Sequence, residues 1–287
     1  MQISGFTYHR VPVGDGVELN VAAKGAGTPV VLLHGFPQTH LMWRHVAADL
    51  AADHTVLVPD LRGYGDSDKP ADTGRTYAKR TMAADVVKVA AAFGHDRFAV
   101  VGHDRGALVA VRTGLDHPER VTHLAALDVL PTLDMWDVLH GTTAAIGFHL
   151  FLMAQPPGLP EALITAAPDE FFGHFLDAWT QDPTAIPPDV RAEYLRKSQK
   201  AIPSIVADYR ASATVDVEDD TADQGTKLRM PVAVRQRDWG AVLGFDARGR
   251  WAQWADDLDH DTVRCGHFMA EEAPDLVVKT VRDLLTR

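Results

Sequence analysis

The segment Gly102-His103-Asp104-Arg105-Gly106 carries the plainest chemical signal in this sequence. It follows the apolar run Phe98-Ala-Val-Val-Gly102 and precedes a stretch of helical periodicity. Small residues flanking one reactive residue at a strand-to-helix turn describe a nucleophile elbow. The glycines permit the tight turn and close backbone packing. The reactive side chain then stands above the sheet, near the positive end of the following helix. Here that side chain is Asp104. A carboxylate is a poor acylating nucleophile, because the mixed anhydride it would form is high in energy. It can instead displace a leaving group at sp³ carbon and become an alkyl–aspartyl ester, which splits one hard displacement into two steps. Freeing that ester requires a base for water, an acid that orients the base and stabilises its cation, and two backbone N–H donors for an oxyanion.

With that elbow the chain resembles the α/β-hydrolase family over essentially its whole length, with Asp104 in place of the usual serine. The resemblance implies that His267, in Cys265-Gly266-His267-Phe268 just before the last helical stretch, is the base. Two acids compete to orient it. Asp128 follows the strand-like run ending at Leu127, and Asp238 follows Pro231-Val-Ala-Val234. In the family the later acid usually sits a few residues further on, nearer Ala241 here, so Asp128, at the alternative position, is favoured. His34-Gly35-Phe36-Pro37 resembles the family's HGxP turn and makes the amides of Phe36 and Arg105 the oxyanion-hole candidates. Arg62-Gly63-Tyr64-Gly65-Asp66-Ser67 is another family hallmark, with a role in loop architecture.

Within the family a nucleophilic aspartate is shared by haloalkane dehalogenases, haloacetate dehalogenases and epoxide hydrolases. They differ in how the leaving group is stabilised: a halide needs N–H donors, and an epoxide oxygen needs a proton from a general acid. Haloalkane dehalogenases place Trp after the nucleophile, where this chain has Arg105. Fluoroacetate dehalogenases are more similar, in His34–Trp43, in Asp104–Gly106 and in Asp208–Asp216. That resemblance implies two arginines holding a substrate carboxylate and a His-Trp-Tyr set holding halide. Arg105 matches the first arginine, but Leu108 stands at the second. His149 and Tyr209 match their positions, but Leu150 stands at the Trp. Each missing group would have supplied charge-assisted contacts worth roughly 1.5–3 kcal/mol. The surviving His149/Tyr209 pair resembles the two cap donors of epoxide hydrolases, which in some members are a histidine and a tyrosine. The expectation is therefore an epoxide hydrolase giving a vicinal diol, acting on a small-to-medium apolar epoxide, ahead of a haloacid (haloacetate or fluoroacetate) dehalogenase. A catalytically silent binding protein of the same fold comes third, because nucleophile, base and acid are all present. Arg105, Leu108, Leu150 and Trp43 are the substrate-contact candidates, and Trp136 and Trp179 are further aromatic candidates for the lining. Each residue also has a plain structural alternative: Arg105 serving only through its amide while its side chain pairs with a surface acid, His149 as a core histidine, Tyr209 as packing.

These residues need elements to hold them. Pro29–Leu33, Thr55–Pro59, Phe98–Gly102, His123–Leu127 and Pro231–Val234 read as buried parallel strands. Tyr77–Phe93, Gly106–His117 and Pro274–Leu285 have helical periodicity. Alternating strands and helices argue a doubly wound parallel sheet. Val17–Val21 alternates and reads as an antiparallel edge strand, and Thr262–Arg264 as a short strand before His267. The alternation breaks between Leu133 and Ala213, a proline-punctuated helical stretch rich in aromatics. With the resemblance, the expected architecture is an α/β-hydrolase fold: a mostly parallel, doubly wound sheet with a helical cap inserted after strand 6. Residues 1–132 and 214–287 would form the core and 133–213 the cap. The acidic Asp216–Asp223 segment reads as a solvated return loop.

Composition sets outer limits. At 287 residues with 46% hydrophobic and 23% charged side chains, the chain can bury a sizeable core and is not a disordered one. A net charge of −11 repels phosphate backbones and argues against nucleic-acid binding. The lone Cys265 excludes an internal disulfide framework and a thiolate-rich metal cluster. The other histidines show no HxxxH or HExxH spacing, so no metal and no cofactor is expected. With no secretory signal and no long apolar run, a soluble cytoplasmic protein is expected. Its expected partners are a small-molecule substrate and water, with no membrane; the resemblance adds a homodimer formed through the cap.

Overall fold

The alternating runs build one eight-stranded sheet in the computed structural model, which describes all 287 residues. The strands are β1 (Thr7–Gly14), β2 (Val17–Lys24), β3 (Thr28–Leu33), β4 (His54–Pro59), β5 (Phe98–His103), β6 (Val121–Leu127), β7 (Val232–Gln236) and β8 (Leu258–Thr262). Their order is β1-β2-β4-β3-β5-β6-β7-β8. From β4 across to β8 all pairings are parallel, and β2 runs antiparallel to both of its neighbours. This is the α/β-hydrolase fold.

Two sequence expectations need correction here. Val17–Val21 lies in an antiparallel strand, but β1 and not β2 is the edge. Asp15 and Gly16 join the two strands with φ of 53° and 72°. Positive φ at both central residues is the geometry an Asp-Gly hairpin turn supplies. The last strand is Leu258–Thr262, ahead of the Thr262–Arg264 run, because register with β7 pairs Leu258 with Val232 and Thr262 with Gln236.

Successive residues of the central strands point to opposite faces. Val31, Leu33 and Val100 enter one apolar cluster; Val30, Leu32 and Val101 enter the other. Both faces are covered, as a parallel sheet requires. Helices α1 (Arg44–Leu50), α2 (Lys79–Ala92) and α3 (Arg105–Asp116) follow β3, β4 and β5. Between β6 and β7 lie α4 (Thr132–Val138), α5 (Phe148–Met153), α6 (Leu159–Ala166), α7 (Pro168–Ala178), α8 (Pro188–Gln199) and α9 (Ile202–Ser212), in the stretch expected as the cap, and then α10 (Val215–Ala222). After β7 come α11 (Trp239–Leu243) and α12 (Ala247–Trp251), and after β8 α13 (Met269–Glu272) and α14 (Pro274–Leu284).

The acidic segment is therefore helix α10, not a solvated loop. Its acids find cations on α2 and α3: Arg112 reaches Asp220 at 2.6 Å, and Arg80 reaches Asp219 at 3.1 Å and Asp223 at 2.7 Å. Asp216 is buried and accepts from the Lys79 amide at 2.8 Å. A run of like charges stays compact when opposite charges neutralise it from another element. No helix is long and apolar enough to cross a membrane.

Candidate active site

The strand order reverses between β4 and β5 on either side of β3, and clefts in open α/β sheets form at such switch points. β3 delivers the turn His34–Pro37 there, and β5 delivers Asp104. Asp104 has φ 50° and ψ −117°. A non-glycine residue held in so sparsely populated a region costs about 1–3 kcal/mol and persists only when its surroundings enforce it. The neighbours do enforce it. A Cβ on Gly102 would lie 2.3 Å from the Gly106 carbonyl oxygen, and one on Gly106 would lie 2.3 Å from that of Leu33. The turn therefore closes only with glycine at both positions. Asp104 stands at the N-terminus of α3, whose first amides have no intrahelical acceptor; that of Arg105 is among them. The Phe36 amide donates to Asp104 Oδ1 at 2.8 Å.

His267 faces Asp104 from the loop before α13. Its Nε2 is buried, has no protein partner, and lies 4.0 Å from Asp104 Oδ2. Its Nδ1 lies 2.6 Å from Asp128 Oδ2, a carboxylate that can only accept from it. That bond leaves the Nε2 lone pair toward Asp104, the tautomer a base needs. Asp128, at φ 49° beyond the end of β6, is held from four sides. Besides His267, it accepts from the Arg237 amide at 2.8 Å, from Arg237 Nε at 2.8 Å and from Trp239 Nε1 at 3.0 Å. Burial alone would push its carboxyl up, but the His267 hydrogen bond and the Arg237 charge more than offset this and hold it well below the usual carboxylate range. The rival acid, Asp238, instead accepts from the Ala241 amide at 3.0 Å and caps α11.

Above the carboxylate, α5 supplies His149 and α9 supplies Tyr209, their ring centroids 5.6 Å apart and both against Phe36. The Tyr209 hydroxyl and His149 Nδ1 are buried with no protein partner. Burial, then the Arg105 charge, pushes His149 down to about 3, so the imidazole is neutral near pH 7. Burial, reinforced by the Asp104 charge, raises Tyr209 well above the ordinary phenol range, so it keeps its proton. Both residues line one cavity with Asp104, Asp128 and His267, walled by apolar side chains that include Leu108, Leu130, Met135 and Leu150.

Several expected contacts move. Trp43 is no part of this cavity; it is fully buried in the apolar cluster with Val30 and Leu32, because the short turn His40–Trp43 packs under the sheet. Trp136 also lies off the cavity, its Nε1 donating to the Ser212 carbonyl at 2.8 Å and its ring against Phe151. Trp179 does line it, with its ring 4.8 Å from His267 and 5.1 Å from His149. Arg105 reaches the cavity wall, but its guanidinium is committed to Asp208, through Nε at 2.8 Å and Nη2 at 2.9 Å, and to Ser212 Oγ at 2.6 Å. That acid is buried, not on the surface, and the guanidinium lies 4.2 Å from the Tyr209 ring centroid. Leu108 and Leu150 both line the cavity, and their side chains offer it no hydrogen-bond donor. Sequence reasoning missed Arg237 and Trp239 entirely; the only signal was the polar run Arg235–Trp239, in which Asp238 drew attention and its two neighbours do the holding.

A family model described as the alpha/beta hydrolase fold matches residues 28–274. A fluoroacetate dehalogenase from Burkholderia sp is 36% identical over 98% of this chain and 94% of its own length. A soluble epoxide hydrolase from Corynebacterium sp. (strain C12) is 34% identical over 96% of this chain and 95% of its own. A solved structure from Nostoc sp PCC 7120, described as an alpha/beta hydrolase, superposes with a TM-score of 0.95 at 40% identity, covering 100% of both chains. The two curated relatives carry different activities at nearly the same identity, so identity does not choose between them.

Proposed function

The chain belongs to the α/β-hydrolase fold family and is a hydrolase of that fold, and from that premise we propose that it opens epoxides through a covalent ester on Asp104. Asp104 Oδ2 attacks a ring carbon in line with the breaking C–O bond. Oδ1, which already accepts from the Phe36 amide, becomes the ester carbonyl oxygen. The ring oxygen leaves toward Tyr209 and His149; the Tyr209 hydroxyl donates a hydrogen bond to it and then the proton, while the neutral imidazole of His149 adds a second donor. In the second step His267 Nε2 takes a proton from water, which attacks the ester carbonyl carbon. The oxyanion that develops on Oδ1 meets the amides of Phe36 and Arg105. Asp128 holds the imidazolium. Collapse returns the proton from His267 to the departing alkoxide and releases the diol; the water oxygen stays in the Asp104 carboxyl, whose remaining proton restores the Tyr209 hydroxyl spent in ring opening.

The observation that carries this reading is the placement of two buried, unpartnered groups, the Tyr209 hydroxyl and His149 Nδ1, on the cavity that also holds Asp104. Leaving such groups unpaired costs about 1–3 kcal/mol each, so their retention points to a ligand acceptor. The second reading, haloacid dehalogenation, is favoured by the fluoroacetate dehalogenase relative. Against it stand Leu108 and Leu150, and Arg105 is already neutralised by Asp208. A panel of epoxides and haloacids assayed together for diol and halide separates the two. We expect diols without halide; fast halide release from fluoroacetate or chloroacetate with inert epoxides would reverse the order. The ester itself is tested with His267→Gln. That variant should complete the first step and stall, so intact-protein mass spectrometry shows an adduct of substrate mass. No adduct with any epoxide or haloacid would end the covalent scheme.

A further inference from the structure

Each oxygen of Asp128 already accepts two hydrogen bonds. Oδ1 takes the Arg237 amide and Trp239 Nε1, and Oδ2 takes Arg237 Nε and His267 Nδ1. A carboxylate has about four lone-pair sites, so nothing is left there for the rest of the Arg237 guanidinium. Its Nη2 is buried and has no protein partner. Two other buried arginines leave no such gap. Arg62 puts Nε and Nη2 on the two oxygens of Asp85, each at 2.7 Å, and Arg105 puts the same two atoms on Asp208. Stacking on Trp239, 4.2 Å from the ring centroid, holds the Arg237 guanidinium in its pose. Arg237 and Trp239 both line the cavity that holds Asp104. A buried donor fixed at a cavity wall with no protein acceptor is matched to an acceptor on a ligand.

We propose that Arg237 is a specificity residue, whose Nη2 donates to a neutral oxygen acceptor, such as a ketone or amide carbonyl, on a substituent of the substrate. The nature of the reacting group, an epoxide, rests on the function proposed above. The charge of the cavity selects a neutral acceptor over an anionic one. Asp104 and Asp128 place two carboxylates on the lining against Arg237, while Arg105 is already paired with Asp208. A substrate carboxylate would add a third anion, and a carbonyl oxygen takes the N–H without that repulsion. Asp104 and Arg237 are linked through His267 and Asp128, so Nη2 lies beyond the base and away from the attacked carbon. The acceptor therefore belongs several bonds from the ring, and apolar lining that includes Leu130, Leu243 and Phe245 takes the hydrocarbon part. This narrows the expected apolar epoxide to one with a single polar substituent. A site built to donate to such a group rejects the analogue lacking it, because the donor is then left unpaired.

The test compares matched ligands within one protein. Epoxyketones of increasing chain length are paired with epoxyalkenes in which a CH2 group replaces the carbonyl oxygen. Binding is measured in full-length Asp104→Asn, which lacks the nucleophile, and kcat/KM in the wild type. At one spacing the ketone should be preferred by about tenfold or more, the scale of a hydrogen bond from a charged donor. Arg237→Lys keeps a cation beside Asp128 but has no Nη2, and should lose most of that preference; Arg237→Met should lose all of it. Because the readout is a ratio, any disturbance of Asp128 acts on both ligands and cancels. The preference should survive Tyr209→Phe. No preference at any spacing, a preference that outlasts Arg237→Met, or one lost in Tyr209→Phe instead overturns the inference. Binding needs no turnover. A wild-type enzyme that leaves every epoxide intact ends the epoxide reading, while the binding ratio still decides the role of Arg237.

Discussion

In the proposed scheme Asp104, Tyr209 and Asp128 each do one thing that a neighbouring residue type could not. The Tyr209 hydroxyl, which the proposed scheme uses as the proton donor above the carboxylate, stays protonated and neutral, since burial and the Asp104 charge both raise it. His149, pushed down to about 3, can donate an N–H but has no spare proton to give at neutral pH. Tyr209→Phe is therefore expected to slow ring opening by about 10²-fold or more, the usual contribution of a general acid. His149→Phe should cost less, because only a hydrogen bond is lost. Single-turnover alkylation rates check both; an unchanged rate in Tyr209→Phe removes it from the site. Asp128→Asn keeps the shape of the acid but offers His267 an amide, which can favour the wrong tautomer. It should slow ester hydrolysis by up to about 10⁴-fold, the scale such a change produces in triads, while alkylation survives. Accumulating ester during turnover is the sign to look for; an equal loss in both steps would mean Asp128 acts on Asp104 as well.

At the scale of elements, the elbow and the cap are joined by a buried charge network. Asp208, on α9 beside Tyr209, takes Arg105 from the first turn of α3, Lys79 from α2, and the Tyr64 hydroxyl at 2.6 Å. Burial would push its carboxyl up, but the Arg105 and Lys79 charges hold it well below the usual range. A depressed carboxylate contributes stability above its unfolded pKa that is lost as pH falls through the folded one. Asp208→Asn should destabilise the fold by about 3–5 kcal/mol, the cost of leaving buried cations uncompensated, as read by urea unfolding at neutral pH. The gap between wild type and variant should narrow in acid; a gap below about 1 kcal/mol would mean the network is incidental. This network also marks the limit of what the sequence reveals. The elbow, the parallel strands and the helices α2, α3 and α14 were legible because their signals lie within a few consecutive residues. The family resemblance extended this to Asp128, His267, His149 and Tyr209. The partners of α10 lie more than a hundred residues away on α2 and α3, so Asp216–Asp223 looked like a solvated run. Arg237 and Asp128 are likewise 109 residues apart and meet only because β6 and β7 are neighbours. Trp43 failed for a related reason: a motif fixed its position in the chain but not which face of the sheet it covers.

Across the whole molecule, the loop that carries His267 is tied to both the cap and the core by one buried acid. Glu271, on α13, accepts from the Tyr194 hydroxyl of α8 at 2.5 Å and from Gln38 at 3.3 Å, and pairs with Arg44 at the start of α1. Burial pushes its carboxyl up to about 7, although the Arg44 charge pulls the other way. The folded protein therefore binds this proton more tightly than the unfolded chain does. By linkage the folded state is favoured most below the ordinary carboxylate range, and this contribution declines as pH rises toward 7. Its direction is opposite to that of Asp208 and Asp128, whose contributions fail in acid. Replacing Glu271 with Gln keeps an acceptor for Tyr194 and removes the titration. The Tm of Glu271→Gln, measured against wild type from pH 5 to pH 8, should rise relative to wild type as pH increases, with most of the change complete near pH 7. Because α13 follows His267 directly, the same substitution should flatten any change in the hydrolytic step that tracks Glu271 ionisation over this window. Parallel Tm curves for the two proteins would show that Arg44 compensates the charge fully and that the acid stays ionised in the folded core.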